Sequence, residues 1–136
     1  MSPQLQPLQL ATERMQAHIE DGIGWMVFNH PARHNALSLE MWASMGDILE
    51  HFAANDEVRV IIMRGAGGKA FVSGADISEF DQERANAEQR KSYGEIAGRA
   101  THWLNTIDKP LIALIEGYCI GGGLATALSA DIRFAT

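Results

Sequence analysis

The chain has 136 residues, 46% hydrophobic and 21% charged, the proportions of one globular domain. Lys and Arg number 11 against 17 Asp and Glu, a formal net charge of −6, and an acidic balance without a basic cluster argues against a nucleic-acid partner. The single cysteine, Cys119, cannot close an intrachain disulfide, and no run approaches the ~20 apolar residues of a membrane span, so no membrane partner is expected.

Residues 1–13 read as an N-terminal tail ahead of a domain over 14–136. Met1 to Leu10 carry no Lys or Arg and include Pro3 and Pro7, which fits neither a secretory signal nor a transit peptide. A frayed, partly extended lead-in to a cytoplasmic protein is the expectation. Arg14 to Glu20 alternates, with Met15, Ala17 and Ile19 on one side. Asp21-Gly22 follows, then Ile23 to Phe28, and two strand-like runs about an Asp-Gly pair predict a hairpin. Pro31 breaks the second strand.

Ser38 is a good N-cap, with Glu40 in the first turn. Leu39, Trp42, Met45, Ile48, Leu49 and Phe52 follow at helical spacing, predicting a helix over Leu39 to Ala54. Val58 to Met63 reads as a strand buried on both faces, and the glycines at 65, 67 and 68 as a loop. Ala85 to Thr106 reads as a helix whose stripe of Tyr93, Ile96, Ala100, Trp103, Leu104 and Ile107 packs in the core. Leu111 to Ile115 is a second buried strand, Leu124 to Ala130 a short helix, and Asp131 to Ala135 the start of another strand. Strands alternating with helices imply an α/β architecture. The chain stops at Thr136 inside an apolar run, so a piece of something longer is expected.

Several motifs fail on inspection. Gly65 to Lys69 lacks the phosphate-loop pattern, because Met63 holds the first glycine position and Ala70 the Ser/Thr position. His30 and His34 are four apart, but Pro31 lies between them, so a solvated loop rather than a metal site is expected. Cys119 sits in apolar surroundings as a structural thiol. Ser73 is not in a G-x-S-x-G elbow.

Two glycine-containing segments are more specific: Ala70-Phe71-Val72-Ser73-Gly74-Ala75-Asp76-Ile77 and Ile115-Glu116-Gly117-Tyr118-Cys119-Ile120-Gly121-Gly122-Gly123. Each follows a predicted strand, and glycines let backbone N–H groups come close to a ligand. The second opens a helix, whose first N–H groups are unpaired. Two ordinary strand-to-helix turns would explain the spacing. Converging loops would instead make an oxyanion hole, two donors aimed at a carbonyl that gains negative charge.

At these segments the chain resembles the crotonase superfamily, the enoyl-CoA hydratase/isomerase family. The likeness extends over Arg33-His34-Asn35-Ala36-Leu37, the two glycine segments, Lys109-Pro110 and Ala130-Asp131. It implies a crotonase (ClpP-like) spiral of ββα units, truncated to its N-terminal half, that binds an acyl-CoA thioester. By position in the motifs, the backbone N–H groups of Ala75 and Gly122 would be the oxyanion donors. Ala36, Ser73, Gly74, Asp76, Ile77 and Gly121 would line the substrate pocket, and Arg33 and Lys69 would meet CoA phosphates. The resemblance implies no metal and no cofactor beyond coenzyme A as part of the substrate. It implies a lyase or isomerase whose full-length form is a homo-oligomer, a trimer or dimer of trimers.

One departure bears on the chemistry. Hydratases of the family carry a glutamate three residues after the middle glycine of the triplet, where this chain has Ala125. Alanine moves no proton, so isomerase-type or other chemistry that does not need two glutamates is favoured. A non-catalytic acyl-CoA-binding pseudoenzyme or structural fragment is the alternative. Asp76 and Glu79 are the acids nearest in sequence, and Asp76 is expected to cap a following helix.

Overall fold

The computed structural model describes residues 6–76 and 86–136. The predicted hairpin is present: β2 (Met15–Glu20) pairs antiparallel with β3 (Ile23–Phe28), Met15 opposite Phe28 and Glu20 opposite Ile23. Asp21 and Gly22 turn the chain at φ 52 and 81, the left-handed turn that matches strand twist. The lead-in is extended but not frayed over its whole length. β1 (Gln6–Pro7) pairs antiparallel with β2, the Leu8 N–H donates to the Ala17 carbonyl at 2.9 Å, and Leu8 and Leu10 pack against the core.

After a 3-10 turn at Pro31–Arg33, α1 (Leu39–Ala54) starts where the cap signal puts it, with the Ser38 side chain accepting from the Met41 N–H at 3.3 Å. β4 (Val60–Gly65) begins two residues later than expected. The Val58 N–H is engaged by the Asn55 carbonyl in a turn, so the strand cannot start there. β5 (Ala70–Val72) and β7 (Tyr118–Cys119) pair in parallel as a separate small sheet. Between them lie α2 (Ala87–Thr106), capped by Asn86, and β6 (Leu111–Ile115). α3 (Gly122–Leu128) and β8 (Ile132–Ala135) close the described chain.

The large sheet has six strands in the order β1-β2-β3-β4-β6-β8. β3, β4, β6 and β8 run parallel. Two successive units, β4-β5-α2 and β6-β7-α3, each send one strand to the large sheet and one to the small sheet before a helix. This is the ββα spiral of the crotonase fold, present in part.

Helices cover one face of the large sheet. On that side Met15, Ala17, Ile19, Met26, Phe28, Ile61, Met63, Leu111 and Ala113 pack with Met41, Met45, Ile48, Leu49 and Phe52 of α1. Phe28 meets Phe71 edge-on, ring centroids 5.2 Å apart, which brings the small sheet into the same core. β4 and β6 are not buried on both faces as expected. Val60, Ile62, Ile112 and Leu114 on the other side are only half-buried, because no described helix packs there. The α2 stripe is also less buried than expected. Only Ala100 and Leu104 are fully covered, while Tyr93, Ile96, Trp103 and Ile107 are half-buried. Arg99 ties α2 to α1 by donating to Asp47 and Glu50. Lys109 Nζ donates to the carbonyls of Phe52 at 2.6 Å and Asn55 at 2.7 Å, holding the end of α1.

Candidate functional site

The site is built where three backbone segments run side by side. The middle one is the end of β5 and the residues after it, Val72 to Asp76. On one side lies the segment from His34 to Leu37. The Ser73 N–H donates to the His34 carbonyl (3.1 Å), the Leu37 N–H to the Gly74 carbonyl (2.7 Å) and the Asp76 N–H to the Leu37 carbonyl (2.9 Å). Leu37 and Ala75 thus form an isolated parallel bridge. In such a bridge the bonds to Leu37 come from the residues flanking Ala75, so the N–H of Ala75 itself points to the opposite side.

On that opposite side lies the second glycine segment. The Ile120 N–H donates to the Val72 carbonyl at 3.1 Å. A Cβ on Gly121 would be 3.8 Å from the Gly74 Cα, and one on Gly122 would be 3.5 Å from Leu37 Cδ1 and 3.7 Å from Trp42 Cζ2. Gly74 has φ 125, a conformation that side-chain-bearing residues rarely adopt. Gly123 lies so close to β5 that a Cβ would collide with the Val72 carbonyl. That close approach explains why α3 starts at Gly122, two residues before the position that helix propensity suggests. Among the described residues, no backbone or side-chain acceptor takes the N–H of Ala75 or of Gly122.

The expected site residues divide into two groups. Ala36, Gly74, Ala75, Gly121 and Gly122 are brought together by these three segments. Ser73 is beside them, half-buried, with its hydroxyl donating to the Arg33 carbonyl at 3.4 Å. Arg33 and Lys69 are exposed; each is next in sequence or by a backbone bond to one of the His34 and Tyr118 rings, whose centroids are 5.5 Å apart. Asp76 is buried, 8% exposed, with its carboxylate 4.0 Å from Arg14 Nη1, so its side chain sits behind the loop. Ile77 and Glu79, and any helix that Asp76 would cap, lie outside the described residues.

The motif reading placed the Asn-Ala-Leu loop around Ala36 at the pocket but did not assign Trp42 or Arg14 to the neighbourhood of the site. Arg14 is far away in sequence and offers no local signal. Ala125 is exposed and borders a small cavity of about 40 Å³ shared with Trp42, Thr101, Leu104, Thr126 and Ser129. A larger cleft of about 620 Å³ runs along the lead-in and β2, lined among others by Leu8, Met15, His18 and Asn29. None of its lining residues belongs to the two glycine loops.

The titratable groups near the site are few. Burial holds the His30 pKa below its ordinary 6.5, and Arg14 acts in the same direction. The His30 Nδ1 is buried with no hydrogen-bond partner among the described residues, so the ring has no acceptor among them for a second proton. Burial likewise pushes the Cys119 thiol up, which keeps it an inert, half-buried packing group. No group of three or more His, Cys, Asp or Glu among the described residues could hold a metal ion. No helix among them is long and apolar enough to cross a membrane.

The comparisons with known proteins agree on one family. The family model for enoyl-CoA hydratase/isomerase matches residues 18–136. The chain is 33% identical over 117 residues to a short-chain-enoyl-CoA hydratase of Clostridium acetobutylicum, covering 86% of this chain and 44% of the relative. It is 31% identical over 122 residues to a hydroxycinnamoyl-CoA hydratase-lyase of Pseudomonas fluorescens, covering 87% and 44%. Among solved structures, an enoyl-CoA hydratase/carnithine racemase from Magnetospirillum magneticum superposes with a TM-score of 0.86 at 42% identity, over 92% of this chain and 47% of that one. The chain therefore spans less than half the length of these relatives. With the family model matched over most of its length and the ββα spiral in place, this chain belongs to the enoyl-CoA hydratase/isomerase family.

Proposed function

We propose that this chain supplies the thioester-oxygen site of an acyl-CoA-binding enzyme. The backbone N–H groups of Ala75 and Gly122 are the two donors. The observation that carries this reading is their common state: neither N–H group has an acceptor among the described residues, and the two glycine segments run so close that a Cβ on Gly121 would touch the Gly74 Cα at 3.8 Å. A thioester oxygen placed between them accepts from both. As the carbonyl gains enolate or tetrahedral character, the two bonds strengthen, and a rigid donor of this kind typically lowers the barrier by ~3–4 kcal/mol. Leu37, Trp42 and the backbone of Ala36 and Gly121 form the walls. Arg33 and Lys69, both exposed, are the cations for the phosphates of the CoA moiety, which reconciles an acidic chain with an anionic ligand.

Chemistry beyond the oxyanion needs a proton carrier. Ala125 supplies none, which favours isomerisation or another reaction that does not need two glutamates. Asp76, the acid next to Ala75 in sequence, is buried. The same alanine favours a second reading, a pseudoenzyme that binds the thioester without turnover. The two readings separate on Ala125→Glu in the whole protein. Appearance of hydratase activity would mean that the site is otherwise complete, and its absence with binding intact favours the pseudoenzyme.

Calorimetry tests the proposal. The whole protein should bind an acyl-CoA and not the corresponding free acid. Equal affinity for the two, or binding of neither, contradicts it.

A further inference from the structure

Asn35 is fully buried at 0% exposure and has φ 58, immediately after His34 at φ 51. Two consecutive left-handed residues that are not glycine are uncommon, and each such residue is strained unless its surroundings hold it. The Asn35 side chain supplies the hold. Its Oδ1 accepts from the His30 N–H at 2.7 Å, and its Nδ2 donates to the carbonyls of Ala66 at 3.1 Å and Ala70 at 2.9 Å. The partners fix the orientation of the amide, since one end faces an N–H and the other faces two carbonyls.

These three bonds join separate pieces of chain: the turn entering the site, the residue after β4, and the first residue of β5. β5 leads within a few residues to Gly74 and Ala75. The His34–Leu37 segment is the wall against which Ser73, Gly74 and Asp76 are paired. The aim of the Ala75 N–H is therefore set by how that wall stands relative to β5, and Asn35 is the buried side chain that links the two, beside the longer, exposed Ser73–Arg33 bond. No other side chain of similar size matches one donor and two acceptors at this place. A carboxylate would face two carbonyl oxygens, and an aliphatic group would leave one buried and two partly buried backbone groups without this partner.

We propose that Asn35 is a positioning residue that aims the Ala75 N–H at the thioester oxygen. This rests on the oxyanion-site reading given above. Asn35 touches no substrate. It acts through the His34–Leu37 wall, so its removal alters the polarisation of a bound thioester rather than the presence of the donor.

The test compares the whole protein with Asn35→Gly, which keeps the left-handed backbone and deletes the clamp, and Asn35→Asp, which keeps the His30 bond and turns a carboxylate to the carbonyls. Two readouts are taken. Hydrogen exchange without ligand should speed up at the Leu37 and Asp76 amides by about 10-fold or more, as expected for a local opening. The β2–β3 amides should stay within about 3-fold of the wild type. Infrared spectra of a saturating acyl-CoA labelled with 13C at the thioester carbonyl should show a smaller downshift on binding than in the wild type. A merely structural role would reduce the folded fraction and leave the downshift of the bound fraction unchanged. Equal protection at Leu37 and Asp76, a uniform acceleration through β2 and β3, or an undiminished downshift overturns the proposal. Absence of any downshift in the wild type would instead overturn the oxyanion-site reading and the role built on it, and the wild-type spectrum keeps the two failures apart.

Discussion

Leu37 and Ala75 face each other across a single parallel bridge, with Leu37 bonded to the residues on either side of Ala75. The pairing leaves the Ala75 N–H turned to the other side, where Gly121 and Gly122 approach. The backbone of Leu37 therefore fixes which way the Ala75 N–H points.

Gly122 offers a clean way to delete a backbone donor. It is the first residue of α3, a position where proline is tolerated, and its Cβ would meet only ordinary contacts with Leu37 and Trp42. Gly122→Ala keeps the N–H and should leave turnover of an acyl-CoA nearly unchanged. Gly122→Pro removes the N–H and should lower kcat by about 10²–10³ without a large change in Tm. Steady-state kinetics and thermal melts on the two variants check this. Similar kcat for both would contradict the donor role of Gly122.

Acid should destabilise the fold through His30 and His18. Burial is the largest cause of the lowered pKa of each. The native state then binds fewer protons than the unfolded chain between the lowered value and the ordinary 6.5, so stability rises with pH in that window. As pH falls from about 7.5 through that window, Tm should drop, and below the native values this contribution stays lost. His30→Asn should flatten the profile, because the titrating imidazole is gone. An unchanged slope in urea melts across the series would argue against this assignment.

Lys109 acts as a clamp on the end of α1. Its ammonium donates to the Phe52 carbonyl in the last turn and shares the Asn55 carbonyl with the Val58 N–H. Lys109→Met keeps the aliphatic stem and loses both bonds, which should cost about 2 kcal/mol. Urea denaturation measures it. A loss of only a few tenths of a kcal/mol would mean that water replaces the ammonium.

The alternation of Met15, Ala17 and Ile19, the Asp21-Gly22 turn, the Ser38 cap and the α1 periodicity were all legible, because each is a local pattern repeated over several residues. β5 and β7 were not. They have three and two residues, too few for a period to show, and the spiral of ββα units came from the family resemblance rather than from spacing. The two glycine loops could be read as candidates. Their contact depends on Gly74, Gly121 and Leu37 meeting across long stretches of sequence, which no local pattern states. The half-buried second face of β4 and β6 was misread because an apolar run reports hydrophobicity and not what covers it.

Six large apolar side chains are exposed toward the C-terminal end: Tyr118, Ile120, Leu124, Leu128, Ile132 and Phe134. Exposed apolar surface of this extent favours association. The 136-residue chain on its own should self-associate in sedimentation velocity. Leu128→Glu combined with Phe134→Lys should shift it toward a monomer. A monodisperse wild-type monomer would contradict the expectation.

Polarisation of a thioester carbonyl by Ala75 and Gly122 is read from the infrared frequency of a 13C-labelled thioester carbonyl, free and bound to the whole protein at saturation. Binding should shift the band clearly to lower frequency, with the shift reduced in Gly122→Pro and retained in Gly122→Ala. A bound carbonyl at its solution frequency, with the acyl-CoA demonstrably in place, would contradict it.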